Sequence, residues 1–538
     1  MEPARASGVL LHPTSLPGRW GIGDLGSEAI RFADFLVSAG QSWWQILPLG
    51  PTGYGNSPYM CFSAFAGNPL LVSPERLVDD GLLAADELRG QPAQPADSVD
   101  FPGVIKLKRE LLARSFETFK SSPPRVHQEG LRAFIERNAE WLEDYALFMA
   151  LKEAHRGWAW TRWEPALVSR EPQALQEASR RLHSRVEFHR YVQYVFFQQW
   201  QALREACRRR GIRIIGDLPI YVAHDSAEVW SHPELFYLDE QGRPRVVAGV
   251  PPDYFSATGQ RWGNPIYRWD QRARSGFSWW VARFRANLAL VDFLRLDHFR
   301  GFEAYWEIPA SETDATHGRW VKGPGADLFR ALQTALGALP VIAEDLGVIT
   351  PEVEALRDAF MLPGMKILQM AFGGDPKATS YRPHNHPWNC VVYTATHDHN
   401  TTVGWFTVDA GHETTQSRAE IKAERELALK YLGSDGREIH WDFIRLAMSS
   451  VAKLAVFPLQ DVLGLGTEAR MNRPGTARGN WEWRFGPNAL ETRHAERLRD
   501  LAVLYDRLPA PAVAEPGGQE AGVARMTTVD SRDGSASR

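Results

Sequence analysis

Four acids each close a short apolar run: Asp217 in IIGDLP, Asp297 in FLRLDH, Glu344 in VIAEDL and Asp398 in YTATHD. An acid in that place stands at the C-terminal end of a strand, and in a barrel of parallel strands those ends gather at one rim. Alternation along FLRLDH puts Phe293, Arg295 and Asp297 on one face, so Arg295 lies one step below Asp297. A guanidinium beside a carboxylate favours its charged form, so Asp297 is expected to be ionised. Glu344 has no cation near it in the sequence and is expected to stay protonated. One ionised and one protonated carboxyl are the equipment for cleaving a glycosidic bond through an oxocarbenium-like transition state. Asp398 is then a third acid, holding sugar hydroxyls. Any one of the four could instead be a helix N-cap or a structural ion-pair partner, and Asp217 also reads as a brace for the loop after it. All four together, with an arginine two residues before one of them, point to chemistry.

A second chemistry fits part of the pattern. His384, His386, His397 and His399 lie close in sequence, and the last pair has the HxH spacing of some metal sites. The first strand, however, offers only His12, and His412-Glu413 is followed by Thr414, Thr415 and Gln416 rather than by an HExxH motif. Neutral histidines donating hydrogen bonds to a sugar are the preferred reading. No metal is expected.

The elements that must position these groups are eight apolar runs bounded by turn residues: 9–12, 43–49, 212–217, 293–297, 341–344, 366–370, 391–396 and 454–459. Helical periods lie between most of them, as in SEAIRFADFLVSAG, GADLFRALQTALGAL and PEVEALRDAF. Strand and helix in alternation predict an α/β fold, a (β/α)8 TIM barrel over residues 1–508. Two insertions interrupt it. Residues 66–199, rich in Leu, Glu, Arg and Trp, predict a mostly helical subdomain, and 222–274 predict loops and a hairpin at the barrel mouth. Residues 509–538, with Pro, Gly, Ser and Ala and no period, are expected to be a disordered tail.

With 61 Lys and Arg against 65 Asp and Glu, the net charge of −4 supplies no field for gathering phosphates, so nucleic acid is not an expected partner. Three widely spaced cysteines argue against a disulfide framework and for a reducing cytoplasm. No signal-like or membrane-length apolar run is found, so no membrane is expected. The 20 Trp and 14 Tyr provide flat surfaces able to stack on sugar rings.

HPTSLPGRWGIGDLG, GNSPYMCFSAFAGNPLL, GDLPIYV, GVPPDYFSATGQRWGNPIY, FLRLDHFRGF, IAEDLG and YTATHD, spread over residues 8–508, resemble the 4-alpha-glucanotransferases (amylomaltases or disproportionating enzymes) of glycoside hydrolase family 77. The resemblance implies Asp297 as nucleophile, Glu344 as general acid/base and Asp398 as transition-state stabiliser, with Arg295 and His397 at the cleavage point. It implies Tyr59 as an aromatic platform with Ser57 beside it, and Trp262 on a mobile loop closing over the glucan. Asp375 and Asn472 would line the donor groove, and Tyr54 a second, remote groove; Asp217, as a strand-end acid, is also expected to contact substrate. It further implies alpha-1,4-glucans as partners, no cofactor, and transfer by retaining double displacement, with the two carboxyls about 5 Å apart. One departure is His399-Asn400, where the family more often has Asn then Asp. An amylase-type hydrolase shares the three acids, and a non-catalytic glucan-binding barrel would use the aromatics but leave the acids idle.

Overall fold

The computed structural model describes residues 5–91, 95–252, 256, 258–409, 416–476 and 478–509. Of the expected tail, everything beyond Pro509 lies outside the described residues.

Each of the eight expected runs contains or overlaps a strand: β1 (Ala6–Leu10), β2 (Trp43–Gln45), β3 (Arg213–Leu218), β4 (Phe293–Leu296), β5 (Val341–Ala343), β6 (Gly364–Ile367), β7 (Cys390–Tyr393) and β8 (Leu454–Pro458). They form one parallel sheet in the order β6-β7-β8-β1-β2-β3-β4-β5. β7 and β8 are buried at every residue, which is why parallel barrel strands read as unbroken apolar runs. Helices cover the outside through narrow apolar stripes. In Ser27–Ser38 the buried residues are Ala29, Phe32, Ala33 and Leu36, at the 3- and 4-residue spacing of one helix face.

β5 and β6 close the barrel by a direct backbone bond from Ala343 N–H to the Pro363 carbonyl (2.9 Å). The side chain of Asp345, the residue after Glu344, adds to this seam. Its Oδ1 accepts from Met365 N–H (2.7 Å) and its Oδ2 from Arg357 Nη1 (2.5 Å). A Cβ at position 364 would lie 2.4 Å from Asp345 Oδ2, so only glycine fits beside that carboxylate.

Between β2 and β3 lie the helices Phe101–Ser121, Arg125–Arg137, Ala139–Ala154, Pro172–Arg181 and His183–Arg209. The last of these is joined to the chain after Tyr59 by two buried glutamines acting as amide clamps. Gln193 exchanges both hydrogen bonds with the backbone of Gly67 (2.7 and 2.9 Å), and Gln199 does the same with Ser73 (2.7 and 3.1 Å). A segment with little secondary structure of its own is thereby held by a long helix.

A second, antiparallel sheet runs Gln260–Pro265, Val246–Val250, Ala304–Pro309, Arg319–Lys322. The first two strands lie within residues 222–274 and pair antiparallel. The other two, drawn from the chain after β4, were not anticipated, so the sheet extends beyond residues 222–274. Trp262 lies in its edge strand rather than in a loop, because the backbone around it pairs with Val246–Val250. No helix among the described residues is long and apolar enough to cross a membrane.

Candidate active site

The parallel pairing of β3 and β4 sets Asp217 directly opposite Arg295. Neighbours in register point to the same side of a sheet, here into the barrel. Arg295 Nη1 donates to both oxygens of Asp217 (2.9 and 2.7 Å) and to Asp297 Oδ1 (3.2 Å). Its Nη2 lies 3.3 Å from Glu344 Oε1. One guanidinium, with its side chain 2% exposed, therefore serves three carboxyls.

This corrects the expectation that Glu344 has no cation beside it. Closure of the sheet puts β5 next to β4, a proximity that linear spacing does not encode. Arg295 favours the charged form of Asp297, as expected, but does not act alone. Burial, reinforced by Asp217 and Asp398, outweighs the guanidinium and pushes Asp297 up to about 6. Burial and repulsion from Asp297 push Glu344 further, to about 8, although Arg295 and the His298 N–H donated to Glu344 Oε2 oppose it. The order of the two acids is the one the sequence implied, for a different reason.

Asp398 stands apart from Arg295's hydrogen bonds and has its own donors. Asn472 Nδ2 donates to its Oδ1 (2.6 Å), and His397 Nε2 lies 3.3 Å from its Oδ2. Burial acts against its charge, but His397 and Asn472 prevail and hold it well below the usual range. Asn472 is itself tied to the strand end, its N–H donating to the His397 carbonyl (3.0 Å). His399 turns aside: its Nδ1 meets Thr396 Oγ1 at 2.7 Å, and burial lowers its pKa to about 4, which keeps it neutral near pH 7.

Tyr59 connects the two halves of the site. Its hydroxyl donates to Asp217 Oδ2 (2.8 Å), and its ring stacks on His397 with centroids 5.2 Å apart and planes 13° apart. Burial and the Asp217 charge raise the Tyr59 pKa well above its ordinary value, so the hydroxyl remains a donor. Ser57 Oγ accepts from Tyr59 N–H (3.2 Å). Trp262 packs edge-on against His298, next to Asp297, with centroids 4.8 Å apart. The remaining two candidates are not drawn in. Asp375 accepts from Lys377 N–H (2.6 Å) on an exposed turn, and no hydrogen bond or ion pair among the described residues ties it to the acids. Tyr54 is 76% exposed.

The four nearby histidines go to separate tasks, His384 to Tyr431 and His386 to Ser450 and Tyr381, with His397 and His399 as above. Two residues of the site had no role assigned from sequence. His298 (φ 49°) and Trp481 (φ 67°) both occupy the left-handed region, which is costly for a bulky side chain and recurs at functional sites. His298 turns its N–H toward Glu344, and Trp481 packs on both Tyr59 (5.8 Å) and His397 (5.9 Å). Neither conformation has a sequence signature, though His298 is adjacent to Asp297.

The profile of the 4-alpha-glucanotransferases matches residues 11–489. The chain belongs to the 4-alpha-glucanotransferase family. It is 53% identical over 516 residues to the 4-alpha-glucanotransferase of Thermus thermophilus, covering 94% of this chain and 100% of that protein. With the Synechocystis 4-alpha-glucanotransferase it shares 51% over 511 residues, 94% of this chain and 99% of the relative. Its fold superposes on an amylomaltase from Streptococcus agalactiae in complex with acarbose with a TM-score of 0.88 at 38% identity, covering 94% of this chain and 100% of that one. The resemblance drawn from sequence motifs is thus borne out.

Replacing Arg295 by Gln leaves the buried Asp217 and the partly buried Asp297 and Glu344 without their shared cation and is expected to cost about 3–5 kcal/mol. Loss of the cation raises the folded-state pKa values of Asp297 and Glu344 still further above the unfolded ones. The folded variant then binds more protons than the unfolded chain between those values, and its stability rises as pH falls. Thermal unfolding should show a larger gap from the parent at pH 8 than at pH 5; equal gaps contradict the shared-cation arrangement.

Proposed function

We propose that Asp297, Glu344 and Asp398 carry out the 4-alpha-glucanotransferase reaction of the family by a retaining double displacement on alpha-1,4-glucans. Glu344, the acid with the higher pKa, protonates the glycosidic oxygen. Asp297 attacks the anomeric carbon, the carbon–oxygen bond breaks, and a glucosyl ester forms on Asp297. The cleaved glucan leaves. Glu344, now a base, takes the proton of an acceptor's 4-hydroxyl as that oxygen displaces Asp297, and the starting protonation state returns. Asp398, held ionised by Asn472 and His397, stabilises the positive charge of the two oxocarbenium-like transition states.

The observation that carries this reading is the meeting of the acids at one barrel rim, with one buried guanidinium 3.2 Å from Asp297 Oδ1 and 3.3 Å from Glu344 Oε1. Arg295 then acts as the fixed counter-charge, and Tyr59, stacked on His397 and packed at a tilt against Trp481, as the platform for the transferred sugar. Trp262, held by its strand beside His298, would cover the cleavage point and favour a sugar acceptor over water. Ser57 supports Tyr59, and Asp375 and Tyr54 would contact outlying parts of the glucan. Three free cysteines support a cytoplasmic setting.

Incubation with maltotriose alone should give glucose and a ladder of longer maltodextrins, whereas glucose and maltose without longer chains would indicate a hydrolase. Asp297→Asn and Glu344→Gln should each lower the rate by roughly 10³-fold or more with the fold intact; near-parental transfer by either would overturn the assignment. The acids also set a pH window. Asp297 must be ionised and Glu344 protonated, so kcat/KM for maltotriose should fall on the acid side near pH 6 and on the alkaline side near pH 8. A profile flat across that range contradicts these roles.

A further inference from the structure

Asn472, the donor to Asp398 Oδ1, stands on irregular chain beyond β8 and the short helix Leu459–Leu463. Its N–H to the His397 carbonyl (3.0 Å) ties it to the strand end at one point, about which a peptide can still swivel. Arg470 supplies two more points. Its Nη2 donates to the backbone carbonyl of Asp398 (2.7 Å) and its Nε to that of Asn472 (2.8 Å). Arg470 is placed in turn by its surroundings. Its N–H donates to the Thr467 carbonyl (3.1 Å), Thr467 Oγ1 accepts from Asn400 Nδ2 (2.9 Å), and the Ala469 carbonyl accepts from Gln460 Nε2 (3.2 Å).

A guanidinium is flat, permanently charged and holds its donors in a fixed fork, so two carbonyls bound to one are kept at a set separation. Hydrogen bonds from a charged donor are also the stronger kind. Here the separation is that between the strand end bearing Asp398 and the loop bearing Asn472. The Asn472 side chain closes the ring, reaching Asp398 Oδ1 at 2.6 Å, against 3.3 Å from His397 Nε2 to Oδ2. The shorter hold on the carboxylate is therefore the one whose backbone Arg470 fixes. A carboxylate facing a developing positive charge is most effective when its aim is set in advance, because a preorganised group needs no rearrangement as the charge appears.

We propose that Arg470 is a positioning residue for the transfer reaction: it fixes the Asn472 amide on Asp398 and so keeps Asp398 aimed at the transition state. The proposal rests on the role given to Asp398 above and adds to it the residue that maintains that role from outside the substrate groove.

A double-mutant cycle on glucose release from maltotriose, with KM and Tm measured for each protein, tests this. Arg470→Gln should lower kcat by roughly 10- to 100-fold with KM little changed. Asn472→Ala should also lower kcat, and the double variant should fall no further than the worse of the two, because both changes break the same hold. Arg470→Lys, which keeps the charge but not the fork, should recover part of kcat, and it takes the place of Arg470→Gln in the cycle if that variant does not fold. A lowered Tm with kcat unchanged makes Arg470 a staple of the loop and overturns the proposal, as does a double variant in which the two losses multiply. Asp398→Asn tests the underlying reading separately. If that variant releases glucose at the parental rate, the role of Asp398 fails and the proposal with it; if it stops release while Arg470→Gln keeps the parental kcat, only the proposal fails.

Discussion

One buried guanidinium shared among three carboxyls is the constraint on which the site depends. Arg295 cannot neutralise Asp217, Asp297 and Glu344 together, and desolvation makes each uncompensated charge costly. Asp217 takes the closest contacts, to both of its oxygens, and is further supported by the Tyr59 hydroxyl. Asp297 receives one longer contact and Glu344 the longest. The guanidinium is thus shared unequally, and burial leaves both Asp297 and Glu344 above the usual carboxylate range, Glu344 the more so because of repulsion from Asp297.

The rest of the fold keeps this unequal sharing in place. Register between β3 and β4 aligns Asp217 with Arg295, and the seam between β5 and β6, stitched by Asp345, holds the strand end that carries Glu344. Tyr59 is on a long connection pinned farther along by Gln193 and Gln199 of the inserted helix His183–Arg209. The helix His183–Arg209 is therefore part of the support of the chain that follows Tyr59. Asp398 is arranged independently, by Asn472 and His397, which hold its carboxyl in the charged form.

How much of this was legible in the sequence follows from what each feature depends on. The barrel strands were legible because parallel strands covered on both sides are apolar throughout, and the acids because each closes such a run. Strand ends were less so: apolar character continues through Ile46 to Leu49, past the last ladder residue of β2, because the loop there is buried too. Arg319–Lys322 escaped notice because it is short and largely exposed, with Arg319 and Lys322 at its ends. The link from Arg295 to Glu344 arises only on closure of the barrel. Tyr59, Trp262 and Asn472 were reached through family resemblance, and the left-handed turns at His298 and Trp481 had no composition to mark them.

The central claim is that the Asp297 carboxylate, poised on Arg295, is the atom donor to the covalent intermediate while Glu344 manages the proton. Reacting the Glu344→Gln variant with alpha-maltosyl fluoride, whose leaving group needs no acid, should load the intermediate and stall its transfer to a glucan acceptor. Mass spectrometry of the quenched, digested protein should then find a maltosyl unit on the peptide containing Asp297. A sugar on the peptide containing Asp217, or turnover with no adduct on either, would contradict the account.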